Sequence, residues 1–154
     1  RVIEKGDFVL MDYGAGYCDY RSDMTRTVVM GEPTQEQLDL YALVRRTHEE
    51  CVAAIHPGVE GNDIFKLSKK IIGDAGYGDY YNHGLGHGVG IDIHELPNFN
   101  RSKNTIEIGS VVTMEPGVYL PGVGGVRLED YGVVTENGYE PFTKTPHDLH
   151  VIDC

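Results

Sequence analysis

Hydrophobic residues recur every three or four positions between residues 40 and 55, which predicts an amphipathic helix. Thr34 and Gln37 have the spacing of a capping box at the start of this helix. Pro57-Gly58 is expected to stop it, because proline cannot continue a helix and glycine favours a turn. The first half of the chain therefore contains one long, half-buried helix.

A second helix is predicted after a cap at Asn62 or Asp63, with its end at Ala75-Gly76. Residues 76–90 are rich in glycine and tyrosine and are predicted to be irregular. Four other stretches are apolar or alternating and bounded by glycine or proline, which is typical of strands. These predicted strands are residues 8–14, 17–30, 111–120 and 126–135.

The order of these elements predicts an α+β fold with largely antiparallel strands and helices packed on one face. Residues 8–14 and 17–30 are expected to pair with each other, and Asn137-Gly138 is expected to form a hairpin turn. With 154 residues, the chain is long enough for one domain with its own core. No internal repeat or low-complexity segment interrupts it.

Composition and charge exclude several classes of function. The formal charge is −11, which disfavours nucleic-acid binding, because neutralising phosphates requires clustered lysine and arginine. No apolar run approaches the roughly 18–20 residues needed to span a bilayer, so no membrane partner is expected. Cys18, Cys51 and Cys154 lack metal-binding spacing. Neither a disulfide framework nor a thiolate zinc site is indicated, and we expect a cytoplasmic location.

Five residues carry most of the candidate chemistry, in the order Asp12, Asp23, His87, Glu115 and Glu129. Four carboxylates and one imidazole suit two divalent metal ions that share carboxylate bridges. Manganese is our first expectation for the metal, with cobalt or zinc as alternatives. Four carboxylates close together without metal would be costly, because like charges raise one another's pKa. The pattern therefore indicates metal-assisted hydrolysis.

Simpler interpretations exist for each residue taken alone. Asp12 could be a turn residue beside a glycine, and Asp23 could form an ion pair with Arg26. Strand alternation puts Arg127 and Glu129 on one face, which could be a solvated face. The order and spacing of all five residues favour the metal-binding interpretation over these.

The longer motifs around these residues resemble one family. They are DYG (12–14), SDMTRT (22–27), HGLGHGVGIDIHE (83–95), MEPGVY (114–119) and VRLED (126–130). From residue 3 to residue 134 the chain resembles the pita-bread metallopeptidases, which include Xaa-Pro dipeptidases (prolidases), Xaa-Pro aminopeptidases and methionine aminopeptidases. The resemblance implies the creatinase/aminopeptidase-like fold, with a curved, mostly antiparallel sheet. The histidine at position 83 and the residues of the last two motifs favour the proline-specific branch.

The resemblance also implies roles for the five residues. Asp12 would bind one metal ion, Asp23 and Glu129 would bridge both ions, and His87 and Glu115 would complete the other. Glu115 would also take a proton from the attacking water and pass it to the leaving nitrogen.

Further residues are implied at the substrate. His83 and His94 would line the substrate site, with Arg127 and Tyr119 close by, and His94 could hydrogen-bond the scissile carbonyl. Thr25, Asp92 and Asp130 are candidates for supporting the metal ligands.

The implied function is hydrolysis of the bond between an N-terminal residue and proline in a dipeptide or short peptide. The alternatives are a methionine aminopeptidase and a non-catalytic pita-bread module that binds peptides or proteins. We expect residues 1–154 to be the C-terminal portion of a single catalytic domain in a longer protein. A homodimer of that longer protein remains open, and the isolated chain is expected to turn over weakly or not at all.

Overall fold

The structure is a computed structural model, and it describes residues 2–153. Arg1 and Cys154 lie outside the described residues, and so does the prediction for Cys154. The other two cysteines, Cys18 and Cys51, are free, the first exposed and the second buried. Neither helix of the described residues has the length and apolar content needed to cross a bilayer.

The two helices are α1 (Gln35–Ala53) and α2 (Gly61–Asp74). The predicted capping box at the start of α1 is confirmed: the Thr34 hydroxyl accepts a hydrogen bond from the Gln37 backbone N–H at 3.2 Å, and the Gln37 side chain accepts one from the Thr34 N–H at 2.9 Å.

The predicted cap of α2 was wrong. Glu60 is the N-cap and makes no side-chain cap hydrogen bond. The Asn62 side chain donates to the Asn100 carbonyl at 2.9 Å instead. The Gly61 N–H donates to the Asn104 carbonyl at 2.8 Å. Contacts with a distant loop have therefore replaced the local cap that the sequence indicated, and the helix starts two or three residues earlier than predicted.

Within residues 2–153, fourteen strands accompany the helices. In chain order they are β1 (Phe8–Tyr13), β2 (Gly16–Tyr17), β3 (Tyr20–Arg21), β4 (Met24–Met30), β5 (Val59–Glu60), β6 (Gly86–Gly88), β7 (Glu95–Phe99), β8 (Thr105–Ile106), β9 (Val111–Met114), β10 (Gly117–Leu120), β11 (Gly124–Arg127), β12 (Asp130–Thr135), β13 (Gly138–Pro141) and β14 (His150–Ile152).

The strands form two larger sheets and three two-stranded ribbons. The larger sheets have the orders β13-β12-β9-β6-β7 and β1-β4-β14. Every pairing is antiparallel except that of β14 with β4. An isolated bridge between Thr25 and Glu129 connects the two larger sheets. The predicted α+β class with largely antiparallel strands is confirmed.

The predicted strand 17–30 is in fact divided. A tight hairpin of β2 and β3 comes first, with Cys18 and Asp19 in the left-handed region at φ 48° and 68°. Only β4 pairs with β1, from Phe8 opposite Val29 to Tyr13 opposite Met24. The segment between β1 and β4 brings the backbone at Gly14 close to the backbone at Ser22. A side-chain carbon at Gly14 would lie 1.8 Å from the Ser22 carbonyl oxygen, so only glycine fits there.

The two late predicted strands are also interrupted, each at a glutamate. β9 ends before Glu115, where Pro116 cannot donate to a strand ladder. β11 ends before Leu128, and β12 begins after Glu129. As a result β9 pairs with β12, whereas β10 pairs with β11. Both glutamates therefore lie at breaks between strands, where a side chain is free of the strict alternation of a sheet.

The hydrophobic core lies between the helices and the sheets. Its fully buried members include Leu40 and Val44 of α1, Ile72 of α2, and Phe99 and Val112 of the five-stranded sheet. The apolar faces predicted for both helices supply these contacts. The core supports the sheet from the side of the helices, so the breaks at the two glutamates are held in place by packed residues on neighbouring strands.

Candidate metal centre

Four of the five predicted ligand residues come together, each from a different part of the sheets. Asp23 precedes β4, and His87 lies at the centre of β6. Glu115 follows β9, and Glu129 lies between β11 and β12. The loop predicted for His87 was wrong, because residues 86–88 form a short central strand between β7 and β9. Positions on or beside paired strands hold these side chains more rigidly than a loop would.

The distances within this group are short. His87 Nε2 lies 3.4 Å from Glu115 Oε1 and 3.6 Å from Asp23 Oδ2. Ligand atoms of Asp23, His87 and Glu129 all lie within 4.8 Å of one another. Negative oxygens and an imidazole nitrogen thus surround a single point.

The hydrogen bonding of His87 defines which ring nitrogen can bind a metal. His87 Nδ1 lies 2.9 Å from the Gly88 carbonyl oxygen. A carbonyl can only accept, so we assign the ring proton to Nδ1. The lone pair of Nε2 then faces the carboxyl groups of Asp23 and Glu115. Such an arrangement of lone pairs favours a cation in the space between them.

Close backbone packing sets the position of His87. A side-chain carbon at Gly86 would lie 2.2 Å from the Thr113 carbonyl oxygen, so β6 can approach β9 only because this residue is glycine. The His87 N–H donates to the Thr113 hydroxyl at 3.1 Å, and the Glu115 N–H donates to the Leu85 carbonyl at 2.8 Å. Thr113 was not among the predicted residues, although strand alternation from Glu115 could have identified it.

Glu129 is oriented by Thr25. The Thr25 hydroxyl donates to Glu129 Oε2 at 2.7 Å, and the Glu129 N–H donates to the Thr25 carbonyl at 3.1 Å. Glu129 is only 2% exposed, so the interpretation of Arg127 and Glu129 as a solvated face was wrong for Glu129. The break after Leu128 turns the glutamate inward, which alternation along one continuous strand could not predict.

Asp12 lies at the edge of the group. Its side chain is 49% exposed, and it forms an ion pair with the Arg127 guanidinium. It lies within β1, so the interpretation as a turn residue was wrong. The alternative interpretation of Asp23 as an ion-pair partner of Arg26 was wrong, because Arg26 pairs with Asp130 at 2.7 Å.

Arg127, Tyr119 and His83 form a hydrogen-bonded chain along one wall. His83 Nδ1 lies 2.7 Å from the Gly84 carbonyl, so that nitrogen carries the proton and Nε2 accepts from the Tyr119 hydroxyl at 3.1 Å. The Tyr119 oxygen in turn accepts from Arg127 Nη1 at 2.8 Å. Burial lowers the pKa of His83, which is consistent with a neutral ring.

An open cavity of about 860 Å³ lies over this group. His94 borders it on the loop after β6, with its ring centroid 4.2 Å from that of His87. The lining includes three of the five predicted ligands, Asp12, His87 and Glu115, and all four side chains implied at the substrate. It comprises Asp12, Asn82, His83, Gly84, Gly86, His87, His94, Glu95, Leu96, Asn98, Asn100, Glu115, Tyr119 and Arg127.

The carboxylates have raised pKa values. Burial, followed by the charge of Glu115, raises the pKa of Glu129 to about 8. Burial also raises the pKa of Glu115 to about 7, against the lowering effect of Arg127. The pKa of Asp23 is raised as well, by burial and then by Asp12. The group is therefore electrostatically short of positive charge, as expected of ligands that bind a cation.

These shifts predict how the stability of the metal-free protein depends on pH. Glu115 and Glu129 have an ordinary pKa of 4.5 when unfolded and values of about 7 and 8 when folded. Their contribution to stability is fully present below pH 4.5 and is lost as the pH rises through 7 and 8. We expect the free energy of unfolding in chelator to fall by about 2 kcal/mol between pH 7 and pH 9.

Urea unfolding at a series of pH values measures this effect. The Glu129→Gln variant is the control, because it cannot ionise and should flatten the curve. Saturating Mn²⁺ should reverse the trend, since a cation favours the ionised carboxylates. A stability that rises between pH 7 and pH 9 without metal would contradict the expectation.

Comparison with known proteins gives a consistent picture. The sequence profile of Metallopeptidase family M24 matches residues 1–136. The chain is 45% identical over 148 residues to a Xaa-Pro dipeptidase of Pyrococcus furiosus, which covers 96% of this chain. A prolidase structure from Pyrococcus horikoshii superimposes with a TM-score of 0.94 at 41% identity, over 97% of this chain and 43% of that one. An X-Pro aminopeptidase structure from Thermotoga maritima gives 0.95 at 35% identity, over 99% and 44%.

These superpositions confirm the predicted pita-bread architecture. They cover nearly the whole of this chain but less than half of each solved structure. The chain likewise spans 42% of the length of the Pyrococcus furiosus dipeptidase. The similarity is therefore to one part of these larger proteins.

Proposed function

This chain belongs to metallopeptidase family M24, and we propose that the full-length protein is a metal-dependent exopeptidase that hydrolyses the bond between an N-terminal residue and proline. The observation that carries the proposal is the convergence of Asp23, His87, Glu115 and Glu129 next to an open cavity, which His87 and Glu115 line. The relative from Pyrococcus furiosus, named a Xaa-Pro dipeptidase, supports the proline-specific branch. Residues 1–154 would form the C-terminal portion of the catalytic domain.

The residues present suit divalent metal ions. Carboxylate oxygens and one imidazole are donors that suit manganese, cobalt and zinc ions. Burial raises the pKa values of Glu115 and Glu129, so a cation between them would stabilise their ionised forms. We assign Asp12, Asp23, His87, Glu115 and Glu129 as the ligands. The chemistry that two such ions supply is a lowered pKa for water and a polarised carbonyl group. Manganese is our first choice.

Glu115 is the group that moves the proton. Its carboxylate faces the cavity, where it can accept a proton from the attacking water and later donate it to the leaving nitrogen, and burial raises the pKa of the metal-free side chain to about 7. Arg127 limits the rise of this pKa, with its Nε atom 3.8 Å from Glu115 Oε2. Glu115 also lies at the break before Pro116, where its side chain points at His87 and not along the sheet.

His94, His83 and Arg127 position the substrate. His94 lies on the cavity wall beside His87 and can donate a hydrogen bond to the scissile carbonyl as negative charge develops on it. His83 is held by the Tyr119 hydroxyl, which is in turn held by Arg127. These hydrogen bonds make one wall of the cavity rigid. The amide nitrogen of a Xaa-Pro bond carries no N–H that the site could recognise by a hydrogen bond. A rigid wall can recognise the proline ring by its shape instead.

A panel of peptides tests the substrate class. We expect the full-length protein with Mn²⁺ to cleave Xaa-Pro dipeptides or Xaa-Pro-Xaa peptides with a kcat/KM at least about tenfold higher than that for Met-Ala peptides. A preference for Met-Ala would favour the methionine aminopeptidase alternative. Comparing dipeptides with tripeptides separates dipeptidase from aminopeptidase activity.

Metal content distinguishes catalysis from a pure binding function. A non-catalytic peptide-binding module is the alternative from a different class, and full-length protein purified without stoichiometric manganese, cobalt or zinc would favour it. The isolated 154 residues should turn over weakly or not at all, because they cover only part of the length of their relatives. Robust hydrolysis by the isolated chain would contradict this part of the proposal.

A further inference from the structure

A second cluster of ligand-type side chains lies next to the candidate metal centre but shares none of its residues. It consists of His48 on α1, Asp130 at the start of β12 and His147 in the segment before β14. His147 Nε2 lies 2.7 Å and His48 Nε2 3.6 Å from the same oxygen, Asp130 Oδ2. Ligand atoms of all three residues lie within 4.8 Å of one another.

His48 has an unexplained environment. It is 2% exposed, and neither of its ring nitrogens has a hydrogen-bond partner among the described residues. A buried polar group without a partner is costly and is rare in native proteins, where such groups usually contact an ordered water or an ion. Burial lowers the pKa of His48 to about 4, so the ring is neutral and offers a lone pair. Its ring packs edge-on against that of His147, with centroids 4.8 Å apart.

The two carboxylate oxygens of Asp130 have different partners. Its Oδ1 atom accepts a hydrogen bond from Arg26 at 2.7 Å, and Oδ2 faces the two imidazoles. The distance of 3.6 Å between His48 Nε2 and Asp130 Oδ2 is too long for a hydrogen bond. It is close to the separation of roughly 3.3 Å expected for two ligands of one tetrahedral ion with bonds of about 2.0–2.1 Å.

We propose that His48, Asp130 and His147 form a separate binding site for one divalent ion of the zinc class. Two imidazoles and one carboxylate are a donor set that zinc uses. His147 is 24% exposed, so it can move by the fraction of an ångström needed to exchange its hydrogen bond for an ion. Solvent on the same side gives the ion an entry path and a water as the fourth ligand.

An ion at this site would tie three distant segments together. The C-terminal segment already contacts the core through Tyr41, whose hydroxyl donates to the His147 carbonyl at 3.2 Å. The ion would add a link from this segment to α1 and to Asp130, the neighbour of Glu129. The site would therefore stabilise the sheet that carries Glu129, and it does not depend on the proposed peptidase activity.

Zinc stoichiometry tests the proposal. We expect the full-length protein, stripped of metal and equilibrated with Zn²⁺, to retain one more equivalent than the His147→Ala variant. His150→Ala is the matched control, since His150 is also exposed in the C-terminal segment, and it should keep the extra equivalent. His87→Ala should keep it too while losing ions from the candidate metal centre. That variant separates a failure of this proposal from a failure of the proposed function.

Anomalous scattering locates a bound ion in the unaltered protein, so the result does not depend on whether a variant folds. Crystals of the unaltered protein equilibrated with Zn²⁺ should give an anomalous peak between the Nε2 atoms of His48 and His147. The His147→Gln variant, which can still hydrogen-bond Asp130, should lose both the peak and the equivalent. Equal zinc content in folded His147→Ala and unaltered protein, or no anomalous peak at this position, would overturn the proposal.

Discussion

Replacing Glu115 by glutamine should lower kcat for Xaa-Pro hydrolysis by about 10²- to 10⁴-fold in the full-length protein. Glutamine keeps the size of the side chain and one oxygen donor but cannot accept or release a proton near neutral pH. Glu115 is suited to that task because it lines the cavity, with Oε1 3.4 Å from His87 Nε2. Assays at saturating Mn²⁺ separate the loss of proton transfer from weaker metal binding.

Glu107→Gln is the matched control for this prediction. Glu107 is exposed in the turn before β9, so the same chemical change there should leave kcat within about twofold. Metal content of the Glu115→Gln protein should be measured alongside, since a variant without bound metal would be inactive for another reason. A metal-loaded Glu115→Gln protein with near-normal kcat would remove Glu115 from the proton-transfer step.

Replacing Arg26 by leucine should destabilise the protein by about 3–5 kcal/mol. Arg26 is 5% exposed and forms a buried ion pair with Asp130 at 2.7 Å. Its guanidinium also donates to four backbone carbonyls, those of Thr25, Glu129, Thr145 and Pro146. Leucine would leave a buried carboxylate without its cation and four acceptors without their donor. Urea or thermal unfolding of the full-length protein measures the loss.

Arg46→Leu provides the comparison with an exposed arginine. Arg46 pairs with Glu50 at 3.7 Å on the surface of α1, and such a pair contributes at most about 0.5 kcal/mol. Adding Asp130→Asn to Arg26→Leu should recover part of the stability, because it removes the unpaired buried charge. If Arg26→Leu and Arg46→Leu were equally mild, the Arg26 network would have little role in holding Glu129.

Local signals were sufficient to predict α1, β1 and the presence of α2, although not the start of α2. The capping box at Thr34 and the apolar spacing of α1 depend on residues within about four positions of one another, so they can be read along the chain. The cap of α2 was misplaced because its first turn is held by Asn100 and Asn104, which lie far away in sequence. Contacts of that kind leave no local pattern.

The strands also show the difference between local signals and contacts between residues far apart in sequence. Residues 111–120 and 126–135 read as continuous strands, because alternation and β-branched residues run through both. The breaks at Glu115 and Glu129 arise because β9 and β10 pair with different partners. Partner choice depends on the whole sheet, and so does the inward orientation of Glu129.

The ligand types, their order and the family can be inferred from the chain of residues alone, because motifs such as HGLGHG and MEPGVY require particular residues at short spacing. Which side chains meet depends on folding. Thr25 and Glu129 are 104 positions apart, as are Arg26 and Asp130, and His48 contacts His147, 99 positions further along the chain. Burial and charge act through space, so the pKa values of the glutamates and the environment of His48 follow from the folded chain alone.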